Sequence, residues 1–240
     1  MNDTISNFYL KNPEEHYVDV YETQHGPRLD DLVSHFKLKD FTNVHIVDIG
    51  GGLGFMGKRL DPSVDYWVID GAEIPDGKRL RGGNWRKADL DYDYFSDSPY
   101  AIGSNIYQDG VMVKTETHNY TRGYFDVAFF LETLEHLSNP YHALVEIKKL
   151  VKQDGDIFVS IPTETVWHNT IYAGLLWPRQ NFEQFLEQMA LPVIEFYQCN
   201  KSWPTYNYHC RNANWHAARM LFPKMEAKFQ GKTPLEYTNL

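Results

Sequence analysis

Short apolar runs and longer amphipathic stretches alternate along this chain of 240 residues. "NVHIVDIG" (43–50) is apolar, β-branched and ends on glycine, so it predicts a buried strand. "LGFMGKRL" follows and predicts the opening of a helix. Further strands are predicted at "DYWVIDGAE" (65–73), "NWRKADL" (84–90), "FDVAFFLE" (125–132) and "DIFVSIP" (156–162). Ahead of the last of these, Asn139 suits an N-cap and Pro140 a first helical turn. Ala143, Ile147 and Leu150 fall on one face of the helix they open, and Asp154-Gly155 is expected to end it. Beyond it, "RQNFEQFLEQMA" reads as a helix, "PVIEFYQC" and "YNYHCRN" as strands. Near the start, "PRLDDLVSHF" predicts a helix packed across the sheet. Strand–helix alternation of this kind marks a parallel sheet with crossover helices.

The interval 91–124, between the third and fourth strands, is too long for a simple connection. Asp109-Gly110 suits a hairpin turn inside it. The interval is either functional or a tolerated surface insertion, since long loops cost little in closure entropy.

Composition narrows the partners. A formal net charge of -9 argues against a general nucleic-acid or membrane-surface binder. The basic stretch "GKRLRGGNWRK" (77–87) is the exception that keeps a macromolecular acceptor open. Cys199 and Cys210 make neither a disulfide framework nor a zinc set, so a reduced, cytoplasmic setting is expected. Part of the aromatic share of 15% must pack the core, and so many amphipathic rings also suit a concave binding site.

The chemistry concentrates in "VDIGGGLGFMG" (47–57), which holds two nucleotide-binding patterns in overlapping frames. Gly52-x-Gly54-x-x-Gly57 reads as a turn for NAD pyrophosphate. Gly50-x-Gly52-x-Gly54, with Asp48 just ahead, reads as a turn for S-adenosylmethionine. Asp70, at the end of the second strand, suits a ribose hydroxyl pair in either frame. Asp48 separates them: a carboxylate repels pyrophosphate but attracts the ammonium and sulfonium of S-adenosylmethionine. It can also do no more than order its own loop.

"VDIGGGLG", then "VIDGAE", "ADLD" and "FDVAFFLETLEHLSNPYHALVEIKKLVKQDGDIFVSIP", in that order, resemble the class I S-adenosylmethionine-dependent methyltransferases. The similarity is closest to the branch with an L-E-H-L segment after the fourth strand, where many small-molecule enzymes sit. It covers roughly residues 28–162. It implies an α/β, Rossmann-like, seven-stranded, mostly parallel sheet flanked by helices, with the last strand antiparallel. It also implies one domain: an N-terminal helical segment (1–42), a cofactor-binding core (43–162) interrupted by 91–124, and acceptor-side elements (163–240).

The resemblance further implies S-adenosylmethionine as cofactor. Its methionine part would lie against Gly50, Gly51, Gly52 and Gly54, with Leu131 and Glu132 lining that end. Asp70 would take the ribose, with Gly71 and Ala72 allowing close approach. Asp89 would accept from the adenine amine and Leu90 would offer its amide, although Asp89 also fits an acidic surface turn. Glu135 reads as a helix-start acid or a solvated one. His136 is the candidate base for a hydroxyl acceptor or, equally, a packing or capping residue. His168 and Tyr172 are candidate acceptor contacts, and His25 is within possible reach of the cleft. No metal cluster is expected.

Trp, Tyr, His and Asn crowd the region beyond residue 162, which suits a polar cyclic acceptor such as a sugar or natural-product ring. They suit a homodimer contact too. The expected activity is methyl transfer to a small molecule, at oxygen rather than nitrogen. The rivals are transfer to nitrogen or to a macromolecule, a non-catalytic cofactor-binding protein, and an NAD-dependent oxidoreductase.

Overall fold

The computed structural model describes residues 15–72, 74–93, 102–108, 111–118, 122–163, 179–201 and 204–214. Strands β1 (His45–Ile49), β2 (Asp65–Asp70) and β3 (Asn84–Lys87) lead the order of the chain. Next come β4 (Ile102–Gln108), β5 (Val111–His118), β6 (Phe125–Leu131), β7 (Val151–Pro162), β8 (Val193–Cys199) and β9 (Thr205–Arg211). The helices are α1 (Glu15–His35), α2 (Pro140–Leu150) and α3 (Arg179–Gln188).

Strand residues alternate between the sheet's faces, so an apolar run with both faces covered belongs in the centre. Ile46, Tyr66, Val68, Val127, Phe129 and Phe158 pack on one face with Leu29, Leu32 and Val33 of α1. Val47, Ile49, Trp67, Ile69, Ala128 and Phe130 pack on the other with α2 and α3. The resulting seven-stranded sheet has the order β3-β2-β1-β6-β7-β9-β8. Its first five strands are parallel, and β9 runs antiparallel between β7 and β8. This is the expected Rossmann-like sheet with its last strand antiparallel.

Three local expectations change. "LGFMGKRL" does not open a helix: it forms turns and a 3₁₀ turn, Gly57–Arg59. The fork of Arg81 stands in for helical bonding there, donating to the carbonyls of Gly57 (2.6 Å), Asp61 (2.9 Å) and Val64 (3.0 Å). Asp154-Gly155 does not end α2, which stops at Leu150 where β7 begins. Those two residues instead lie where the β6–β7 register slips, from Phe125↔Val151 to Val127↔Asp156, with Asp154 at φ 62°. The N-terminal helix starts earlier than "PRLDDLVSHF" and runs through Pro27. The cap of α2 is as expected, with the Asn139 side chain accepting from the His142 amide at 3.2 Å.

The interval 91–124 contributes β4 and β5, a separate antiparallel pair. Its register pairs Gln108 with Val111, leaving two residues between the strands. Asp109-Gly110, the expected turn, is that pair and lies outside the described residues. No helix among the described residues is long and apolar enough to cross a membrane.

Candidate active site at the strand ends

The chain leaves β1 toward β2 on one side and returns to β6 on the other, so a crevice opens at their carboxyl ends. The glycine turn lies there, with Gly50, Gly52 and Gly54 all at positive φ (70°, 53° and 86°). Gly50 also has no room for a side chain, because a Cβ would meet Thr133 Oγ1 at 2.3 Å. The Thr133 hydroxyl donates to the Leu131 carbonyl at 3.0 Å, beside the end of β1. Gly57, the third glycine of the NAD frame, answers a different need. Its Cβ would sit 2.5 Å from the Tyr66 ring, and no α-helix starts near it to receive a pyrophosphate.

Tyr66 reaches past Gly57 to donate to Asp48 Oδ2 at 2.5 Å. The Asp48 carboxyl is buried beneath Gly51, whose Cβ would lie 2.7 Å from it. Burial pushes its pKa from 3.8 up to about 7; the Tyr66 hydrogen bond opposes the rise and Asp70 adds to it. Asp48 thus braces the turn through Tyr66, with its carboxyl held close beneath the glycines.

Asp70 ties β2 to the same turn. Its Oδ2 accepts from the Gly52 amide at 3.0 Å and its Oδ1 from the Ala72 amide at 2.8 Å. Each oxygen keeps a further lone pair. Burial raises the Asp70 pKa, and the two amides lower it. Gly71 has ordinary space around it, its nearest contact being the Ala88 carbonyl at 3.9 Å.

Asp89 lies in the acidic turn after β3. Its Oδ1 accepts from the Asp91 amide at 3.1 Å, and its own amide donates to Asp93 at 2.7 Å. Asp91 in turn accepts from the Asn139 amide at 2.7 Å, fastening the turn to the start of α2. Leu90 is buried in the core. Two arginines of the basic stretch face the protein: Arg81 as described, and Arg79, which donates to the Ile74 carbonyl at 3.0 Å and lies over the Trp85 ring.

Past β6, Glu132 has φ 51° and its carboxylate meets Arg28 of α1 at 2.9 Å. The Ser160 hydroxyl donates to its other oxygen at 2.9 Å. Helix α1 is pinned over this end of the sheet by Arg59, which bonds Glu22 at 2.6 Å and Asp30 at 2.8 Å. One face of α1 therefore brings Tyr21, His25 and Arg28 to the crevice. Tyr21 stacks on Phe55 at 3.8 Å and His25 tilts against Tyr21 at 4.4 Å.

Glu135 is not solvated. It is fully buried in the first turn of the 3₁₀ helix Leu134–His136, which packs against α2 and β7. His136 is partly exposed beside it, with Nε2 3.8 Å from Glu135 Oε1. The crevice thus gathers Asp48, the glycines, Asp70, Leu131, Glu132 and His136. His168 and Tyr172 lie outside the described residues. Sequence reasoning missed Tyr21, Arg28, Tyr66, Thr133 and Ser160. Thr133 and Ser160 lay inside the quoted segment 125–162 and Tyr66 inside the predicted strand 65–73, but nothing in their immediate neighbours singled them out.

A parallel sheet, a glycine turn at its switch point and an acid closing the second strand define a nucleotide-cofactor transferase or oxidoreductase. The model of a methyltransferase-domain family matches residues 21–218, and the chain belongs to that family. A solved N1-methyltransferase acting on 1,6-didemethyltoxoflavin, from Burkholderia thailandensis, is 15% identical with a TM-score of 0.57. The match covers 88% of this chain and 86% of that one, which holds S-adenosylhomocysteine. The N-methyltransferase NodS from Bradyrhizobium japonicum is 16% identical with a TM-score of 0.51, over 79% and 97%. A cyclase, SpnF, is 13% identical with a TM-score of 0.51, over 78% and 80%. No curated protein matches the chain.

Proposed function

We propose that this methyltransferase carries a methyl group from S-adenosylmethionine to a small-molecule acceptor, a hydroxyl of a sugar or natural-product ring. The observation that carries the cofactor reading is the charge of the crevice. Asp48, Asp70 and Glu132 line it against a single described cation within contact of them, Arg28. Such a site repels pyrophosphate and suits a ligand with two cationic centres and one carboxylate. S-adenosylmethionine, when bound, supplies a methyl activated by its sulfonium.

The glycine turn and Leu131 would hold the methionine end, with Asp48 and Glu132 providing the field for its ammonium and Arg28 pairing its carboxylate. The remaining lone pairs of Asp70 would accept from the ribose, with Gly71 and Ala72 alongside. Asp89 and Leu90 would meet the adenine. The protein's own task is alignment, which is where methyl transfer gains most. His136 would take the proton that a hydroxyl acceptor loses. A nitrogen acceptor is the second reading, favoured by the two N-methyltransferases of similar fold. SpnF shows that the fold alone does not fix the reaction.

The wider reading has one domain, 91–124 as an insertion and 163–240 as acceptor-side elements, with His168 and Tyr172 as acceptor contacts and a homodimer contact as the other use of that aromatic region. The free thiols of Cys199 and Cys210 fit a reducing, cytoplasmic setting. Calorimetric titration with S-adenosylmethionine, S-adenosylhomocysteine and NAD in parallel tests the core of it. Binding of both adenosyl compounds and not NAD is expected. NAD binding alone, or no binding at all, would overturn the reading.

A further inference from the structure

Two neighbouring lysines near the end of α2 reach in different directions. Lys149 pairs with the buried Glu146 at 2.6 Å. Lys148 instead donates from Nζ to the carbonyls of Ala190, just past α3, and Ala213, just past β9, both at 2.9 Å. Those acceptors carry no net charge, and no carboxylate among the described residues offsets the ammonium. The titratable group it does feel is the Cys210 thiol of β9, which burial holds far above its ordinary range and so keeps neutral. An ammonium has three donors, so one remains available. Lys148 lines a cavity of about 360 Å³ together with Val145, Val151, Met189 and Gln188. That volume lies in the range of small-molecule sites. Val151 begins β7, so the cavity lies at the end of the sheet away from the crevice. A half-buried cation is stabilised by a paired anion, and none of the described residues supplies one here.

We propose that this cavity is a second ligand site, separate from the methyl-transfer crevice, for a small organic molecule with one carboxylate and an apolar body. Lys148 pairs with the carboxylate through its remaining donor. The exposed amide of Gln188 lines the same cavity and donates to the second carboxylate oxygen. Val145, Val151 and Met189 cover the apolar body. The charge count sets the ligand class. Lys148 brings one unbalanced positive charge, and Lys149 is already matched by Glu146, so a monoanion is neutralised and a phosphate dianion is not. Burial lowers the Lys148 pKa from 10.5 to about 8. The ligand binds the protonated form, so its affinity is full below that value and is lost as pH climbs through it.

The test is calorimetric titration of the full chain with sodium hexanoate, hexan-1-ol and inorganic phosphate. Hexanoate should bind saturably in the millimolar range, and the other two at least about tenfold more weakly. Raising the pH from about 7 to about 9 should weaken hexanoate about tenfold, following the charge on Lys148. Lys148→Met keeps an apolar stem of similar length and removes the ammonium, so it should cost hexanoate at least about tenfold in affinity. No binding of hexanoate to the wild type, or undiminished binding to folded Lys148→Met, would overturn the proposal. Equal binding of hexan-1-ol or phosphate would overturn the ligand class. If Lys148→Met does not fold, the wild type answers alone. Saturating hexanoate should slow acetylation of Lys148 by acetic anhydride at least about fivefold, read by mass spectrometry, and leave the exposed Lys39 unaffected. Unchanged acetylation of Lys148 would reduce it to a cap on the Ala190 and Ala213 carbonyls and sink the proposal.

Discussion

Replacing Asp48 with Asn should flatten part of the protein's stability-versus-pH curve. In the folded state the Asp48 pKa is raised from 3.8 to about 7. A carboxyl raised in this way binds its proton more tightly folded than unfolded. Its ionisation therefore weakens the fold as pH climbs from about 4 to 7, and the loss is complete above the folded value. A shift of roughly three units corresponds to an upper limit of about 4 kcal/mol at about 1.4 kcal/mol per unit. The side chain is 3% exposed, so solvent screening takes little from that limit. Asparagine keeps an acceptor for the Tyr66 hydroxyl and cannot ionise. Urea unfolding of both proteins at half-unit steps from pH 4.5 to 8 is the assay. The variant should gain on the wild type by about 2–4 kcal/mol across that range, chiefly below pH 7. The comparison removes contributions common to both, including those of Asp70 and Glu135, whose pKa values are also raised. Parallel curves would refute the reasoning, since they would mean that Asp48 titrates alike folded and unfolded.

Other outcomes follow from the same packing. Gly50→Ala combines a positive φ with a Cβ 2.3 Å from Thr133 Oγ1, and should cost about 2–4 kcal/mol in denaturant unfolding. Adding Thr133→Ala should recover part of the steric share, since its own Cβ would still lie 2.9 Å away, and a strictly additive double mutant would show that the two side chains do not meet. Arg81→Ala strips donors from the carbonyls of Gly57, Asp61 and Val64. Amide exchange through 54–64 should accelerate at least tenfold, and Arg81→Lys should not restore it because an ammonium lacks the fork. Arg28→Ala leaves the Glu132 carboxylate without its cation and should destabilise by about 3–5 kcal/mol. Arg28→Met with Glu132→Gln should fold well but bind S-adenosylhomocysteine at least tenfold more weakly, while 5′-methylthioadenosine, which lacks the carboxylate, binds unchanged.

Much of the sheet was legible because its evidence is local. Ile46, Val47 and Ile49 announce a strand buried on both faces whatever surrounds them, and Asn139-Pro140 announces a helix start through its own backbone chemistry. The errors came where a distant residue decided a local outcome. "LGFMGKRL" has helical spacing, yet Arg81, more than twenty positions on, satisfies the carbonyls of Gly57 and Leu60 that a helix would have bonded. Asp154-Gly155 looks like a helix stop, yet the pull of β6 starts β7 directly after Leu150. Gly57 fitted a pyrophosphate turn, yet its smallness serves the Tyr66 ring.

The chain's own residue pattern determined the alternation of strands and helices, the turn at Gly50, Gly52 and Gly54, and the acids at Asp48 and Asp70. Those depend on periodicity and on conformations that only certain residues adopt. Tertiary structure alone decided that α1 carries Arg28 onto Glu132, that Tyr66 braces Asp48, and that Glu135 is buried beside His136. Arg28 and Glu132 stand 104 positions apart, and nothing in the sequence around either marks the other as its partner. Their pairing, and the raised pKa values of Asp48 and Asp70, follow from the exclusion of water at the strand ends once the layers are assembled. Burial is a property of the assembled layers, and no single segment carries it.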